Sequence, residues 1–208
     1  MENLHYLFPT PLWILNIKNE LEQNNITIDN LENQCYEYEK LNTGRQISNR
    51  GNNSYQSKDL IFEQKDITTP IVQTGKIIDK QVNKIYQTSW DGTVYIKNAW
   101  ININRQECFN ERHYHSNSKL SCCFYINVPK DSGNIKFFKN DNTAFITKQL
   151  GNFKSFNLPH LAEIFTYRPI AGDLIIFPSW LPHAVETNLT DKARISIALN
   201  YDTKLKNI

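Results

Sequence analysis

From residue 91 to the end, the chain reads as short β-type runs broken by turn residues, and this pattern restricts its fold more than any other feature. Eight runs are predicted, at residues 98–106, 110–115, 120–127, 134–139, 162–169, 172–178, 183–188 and 193–201. Turn signals such as "KDSGN" (130–134) and "KNDNT" (139–143) separate several of them. Eight antiparallel-type strands in about 110 residues predict a mainly β (α+β) protein whose core is a jelly roll, or double-stranded β-helix.

The first ninety residues have a different texture. "PLWILNI" (11–17) reads as an opening strand, and "NELEQNN" (19–25) and "IDNLENQCYEYEKL" (28–41) read as helices. In the second of these helices Leu31, Cys35 and Tyr38 share one side. Residues 43–59 are rich in Asn, Gly and Ser and read as a loop. A further helix is expected over 70–90, with Pro70 near its start and Ile71, Ile77, Ile78, Val82 and Ile85 on its apolar face. The expectation is one domain over 1–208: a helical and loop support (1–90) and a β core (91–208).

Charge excludes one class of partner. The balance of 23 basic against 21 acidic residues is +2, with no basic block or basic–aromatic stripe, so nucleic acid is not expected. No apolar run reaches the ~20 residues of a membrane span. The opening "MENLHYLFPTPLWILNI" lacks the basic start and unbroken apolar core of a secretory signal. The four cysteines, Cys35, Cys108, Cys122 and Cys123, read as reduced thiols, and the expected location is cytoplasmic.

The chemistry is concentrated in "ERHYH", residues 111–115, which holds two of the five histidines. On an extended strand Glu111, His113 and His115 would project to one face, as a metal clamp. His183 opens another run after "GDLIIFPSWLP". In "RISIALN" Arg194, Ser196 and Ala198 alternate with Ile195, Ile197 and Leu199. The alternation puts the arginine on the small-residue side, which is either an interior cavity or solvent. Imidazole suits zinc, iron, copper and nickel. The fork of an arginine suits a carboxylate.

Together these residues resemble the 2-oxoglutarate- and iron(II)-dependent oxygenases, specifically a bacterial and phage branch with an "HxHxxSxxSGxYY"-like segment. Here that segment runs His113, His115, Ser118, Ser121 and Tyr125. The resemblance extends through "FPSWLPHAV" and "RISIALN", and more weakly through "SNRGNNSYQS" near residue 50. It implies iron ligation by His113 and His183. It implies that Arg194 grips the distal carboxylate of 2-oxoglutarate, with Tyr125 and Ser196 beside it. The implied reaction hydroxylates a C–H bond of a substrate, small molecule or protein side chain, consuming O2 and releasing succinate and CO2.

The chain departs from the family where a carboxylate is expected, because His115 stands there. Three readings stay open. His115 completes a three-histidine face; Glu111 swings in and restores a carboxylate; or His113 stands behind, with His115 and His183 ligating beside Asn117 or a water. Three rival functions also stay open: a three-histidine cupin-type metal enzyme that does not use 2-oxoglutarate, a zinc hydrolase or lyase, and a non-catalytic jelly-roll binding or structural protein. Residues 43–59 and 141–161 are candidate lids. Trp180 is a candidate pocket wall, and His5 and His160 have no expected role. The substrate and the oligomeric state, homodimer included, are not legible.

Overall fold

The computed structural model describes residues 9–47, 54–90, 92–139 and 163–204. The expected lid at 141–161, His5 and His160 lie outside the described residues. Two antiparallel sheets form the body. The larger, in the order β1-β8-β5-β10-β3-β2, joins β1 (Trp13–Asn16), β2 (Ser54–Gln56), β3 (Thr93–Asn104), β5 (Leu120–Asn127), β8 (Asp173–Pro178) and β10 (Arg194–Lys204). The smaller, in the order β4-β9-β6-β7, joins β4 (Asn110–His113), β6 (Ile135–Phe138), β7 (Ile164–Tyr167) and β9 (His183–Val185). From β3 to β10 the described strands alternate between the sheets, except that β6 and β7 pair with each other in the smaller one, an arrangement like that of a double-stranded β-helix.

Helices α1 (Lys18–Glu22), α2 (Ile28–Leu41) and α3 (Thr69–Ser89) belong to the N-terminal part. The Thr27 hydroxyl starts α2 by accepting from the Asn30 N–H at 3.2 Å. Pro70 lies in the first turn of α3, where its missing N–H costs nothing. Leu31, Cys35 and Tyr38 on α2, and Ile71, Ile78 and Val82 on α3, are buried in one cluster with Ile101, Ile103, Phe124, Leu174, Ile195, Ile197 and Leu199 of the larger sheet. At roughly 1.5–3 kcal/mol for each fully buried aliphatic side chain, this seam is what holds helices to sheet. Among the described residues no helix is long and apolar enough to cross a membrane.

The seam also decides what the other face of the sheet does. With Ile195, Ile197 and Leu199 against the helices, the period of two turns Arg194, Ser196, Ala198 and Asn200 toward the smaller sheet. There they line a cavity with Trp100, Asn102 and Asn104 of β3. The small side of β10 is therefore interior and not solvent.

Two expected elements change. Residues 54–56 of the predicted 43–59 loop form an edge strand, pairing with β3 from Ser54↔Asn104 to Gln56↔Asn102. Three residues are too few to show a period, so only pairing reveals them. The expected strand over 110–115 ends at His113, and its pairing with β9 is irregular between Asn110 and His113. Strand alternation therefore does not govern His115.

Candidate metal centre

His113 and His183 are direct partners across β4 and β9, with ring centroids 4.3 Å apart. His115 lies just beyond β4 and arrives by a different route, its N–H donating to the Ser179 carbonyl at 2.8 Å. Its ring is 5.1 Å from that of His113 and 5.3 Å from that of His183. One nitrogen from each of the three lies within 4.8 Å of the others. The Glu111 side chain is not in this group, although it lines the same cavity. His113 stands within the group and not behind it.

Backbone carbonyls set the tautomers. His113 Nδ1 faces the Glu111 carbonyl at 2.7 Å, and His183 Nδ1 faces the Leu181 carbonyl at 3.0 Å. A carbonyl only accepts, so in each ring Nδ1 carries the proton and Nε2 keeps its lone pair. That is the arrangement by which protein imidazoles are oriented for a metal.

Burial keeps two rings neutral. Desolvation, then the charge of His113, lowers the pKa of His115 to about 4, and the same two causes lower His183 to about 3. The unfolded chain takes up these protons near 6.5, so the folded state binds fewer protons between the two values. Stability of the metal-free chain from these groups is complete above pH 6.5 and is lost as the pH falls toward 4. In chelator, the thermal midpoint should drop across that window, and a His183→Gln variant should show a shallower drop. Equal slopes would refute the assignment.

The opposite end of the cavity holds Arg194, only 3% exposed. Its Nη1 donates to the Ser132 carbonyl and, at 3.2 Å, to the Glu186 carbonyl. Gly133 lies against this contact with φ +92°. A Cβ there would come 2.3 Å from the Glu186 oxygen and 2.9 Å from Arg194 Nη1, so only glycine lets the chain pass. Among the described residues Nη2 has no hydrogen-bond partner and no carboxylate pairs with the guanidinium, and the buried Tyr125 hydroxyl has only the weakly bonding Cys123 thiol beside it. Burial pulls the Arg194 pKa down and pushes that of Tyr125 well up. Ser196, opposite Tyr125 in the ladder, and Cys123 complete this end. An unpaired buried cation costs several kcal/mol, which an anionic ligand would offset.

One cavity of about 400 Å³ joins the two ends, walled by Ile135, Phe177 and Val185. The structure thus gathers His113, His115, His183, Tyr125, Arg194 and Ser196 around one space. Trp180 is half exposed on a turn and is absent from the lining, whereas Trp100 lines it with its ring 6.1 Å from that of His115. Sequence reasoning missed Trp100, Asn102 and Asn104. Their signal was alternation with Ala99, Ile101 and Ile103 on the same strand.

A family model described as "Putative 2OG-Fe(II) oxygenase" matches residues 98–200, the stretch that carries all six of these side chains. No curated protein matches the chain. Among solved structures, a prolyl-4-hydroxylase from Pseudomonas putida aligns at 15% identity with TM-score 0.63, covering 94% of each chain. A prolyl hydroxylase from Trichoplax adhaerens, in complex with a hypoxia inducible factor peptide, aligns at 14% identity and TM-score 0.58, covering 92% of this chain and 83% of that one. HygX from Streptomyces hygroscopicus, with nickel and 2-oxoglutarate bound, aligns at 11% identity and TM-score 0.56, covering 93% and 83%.

Proposed function

Since the β half of this chain, residues 98–200, belongs to the 2OG-Fe(II) oxygenase family, we propose that it is an iron(II)- and 2-oxoglutarate-dependent dioxygenase that hydroxylates a C–H bond. The substrate R–H, 2-oxoglutarate and O2 give R–OH, succinate and CO2. The observation that carries this reading is the single cavity with three imidazoles at one end and an unpaired, buried arginine at the other. A metal-chelating dicarboxylate is the ligand that satisfies both ends at once. The nickel and 2-oxoglutarate bound by HygX support a metal and this cosubstrate here, and the peptide bound by the Trichoplax enzyme supports a protein side chain as one class of substrate.

His113, His115 and His183 would hold the metal, His113 and His183 through Nε2. Three imidazoles so grouped would suit a first-row divalent metal. Arg194 Nη2, without a partner among the described residues, and the Tyr125 hydroxyl receive the distal carboxylate, and Ser196 adds a hydroxyl beside them. When bound, iron and 2-oxoglutarate supply the oxidising chemistry. Ile135, Phe177 and Val185 keep the space between dry, which strengthens the arginine–carboxylate attraction. Residues 1–90 serve as support within the same domain, because their helices cover the apolar face of the sheet whose other face is the cavity floor.

Oxygen uptake that needs both Fe(II) and 2-oxoglutarate, with matching succinate, is the expected result. Tight stoichiometric zinc without 2-oxoglutarate binding would favour the zinc hydrolase instead. His115→Asp restores the usual carboxylate and places a negative charge beside the dianion. It should keep iron binding and weaken 2-oxoglutarate binding by about three- to tenfold, since each decade is 1.4 kcal/mol. Anaerobic titration calorimetry reads both, and tighter 2-oxoglutarate binding would contradict the charge argument.

A further inference from the structure

Two of the three histidines hang on one turn, whose Ser179 and Leu181 are buried. After β8, the Leu181 N–H donates to the Pro178 carbonyl at 2.9 Å and closes the turn over 178–181. The Ser179 carbonyl of this turn accepts the His115 N–H at 2.8 Å, and its Leu181 carbonyl accepts from His183 Nδ1 at 3.0 Å. Because His115 lies outside any strand, its contact with Ser179 takes the place of a strand ladder in setting where the ring can go.

The turn is itself tied to the sheet by polar side chains that no expected role uses. The Ser179 and Ser121 hydroxyls are 2.8 Å apart, and the Ser121 hydroxyl donates to Asn200 Oδ1 at 2.7 Å. A hydroxyl has one proton, so the chain has one direction: Ser179 donates to Ser121, and Ser121 donates to Asn200. All three residues are buried. Ser121 and Asn200 face each other across β5 and β10, so the anchor is on the central strands of the larger sheet. The Ser179 N–H adds a bond to the Lys119 carbonyl at 3.1 Å.

We propose that Ser121, Ser179 and Asn200 are positioning residues for the metal centre, fixing the 178–181 turn and through it His115 and His183. The inference rests on the metal reading of the three histidines. Its physical ground is directionality. Apolar packing tolerates small slides of a turn, whereas a chain of short, aligned hydrogen bonds specifies one placement. Metal ligation needs distances held within about 0.2 Å. The chain places its directional bonds under the ligands that need this most.

The test uses the full chain with Ser121→Ala, Ser179→Ala and the double variant, titrated anaerobically with Co(II) and Fe(II). Each single variant should bind metal about 10- to 100-fold more weakly, the range for residues that orient ligands. The Co(II) absorption bands should change in position or intensity. Because both serines act through one chain, the double variant should be no weaker than the poorer single variant. A cooperative thermal transition in chelator checks that each variant is folded. Wild-type affinity with an unchanged Co(II) spectrum in either single variant would overturn the proposal, as would losses that simply add. If the wild type itself takes up no divalent metal, the metal reading fails with it. If the wild type binds metal and 2-oxoglutarate while the variants match it, only the positioning role fails.

Discussion

Arg194→Ala is expected to abolish measurable 2-oxoglutarate binding while Fe(II) and Co(II) still bind. The guanidinium is buried, its Nη1 is tied to the Ser132 and Glu186 carbonyls, and its Nη2 has no hydrogen-bond partner among the described residues. Truncating one partner of a buried, hydrogen-bonded charge pair costs about 2–5 kcal/mol, or roughly 30- to several-thousand-fold in Kd. The histidine end is untouched by the change, so metal titrations should match wild type. Arg194→Lys should recover little, because an ammonium cannot both satisfy the two carbonyls and reach the carboxylate as a fork. Anaerobic calorimetry on the Co(II)-loaded protein reads the cosubstrate term, and a separate titration reads the metal. Turnover in Arg194→Ala with unchanged affinity for 2-oxoglutarate would remove the cosubstrate assignment.

His183→Ala is expected to weaken metal binding by more than the 10- to 100-fold given for residues that merely orient ligands, and to end 2-oxoglutarate-dependent oxygen uptake. His183 is 5% exposed, is wedged between rings, and faces Phe177 at a centroid distance of 4.7 Å. Alanine therefore also leaves a cavity there, and His183→Gln is the companion that keeps most of the volume. The contrasting variant is Glu111→Gln, whose side chain is outside the three-nitrogen group and should change metal affinity less than threefold, under 0.7 kcal/mol. Loss of metal in Glu111→Gln, with His115→Ala unaffected, would reinstate the carboxylate as third ligand.

These two variants separate the rival functions as well. A three-histidine cupin-type enzyme that binds its substrate on the metal loses activity with His183 but has no use for a buried Arg194. A binding or structural jelly roll loses no turnover with either. The orphaned Nη2 is the feature that a metal-only site leaves unexplained.

Much of the site was legible because histidine and arginine carry their chemistry wherever the chain goes. His113, His115, His183, Arg194, Tyr125 and Ser196 were each readable as candidates, and all line one cavity or its metal end. The ground for including His115 was wrong, however. The expected strand through 115 ends at His113, and His115 is carried by its bond to Ser179. Ser121, Ser179 and Asn200 were invisible as a unit, because 58 and 79 residues of sequence separate the bonded pairs. Likewise β2 is only three residues long and shows no period of its own.

The sequence by itself determined the elements whose pattern is local. The 28–41 helix appears from its i, i+4, i+7 spacing, the 120–127 strand from its β-type run, and the alternation of β10 from its period of two. It could not say which side of β10 is wet, because alternation defines two faces without naming their neighbours. Only the tertiary structure decided that. α2 and α3 cover Ile195, Ile197 and Leu199, so the side bearing Arg194 and Ser196 closes over a cavity against the smaller sheet. Burial is a property of what packs against a face, and those partners come from the other end of the chain.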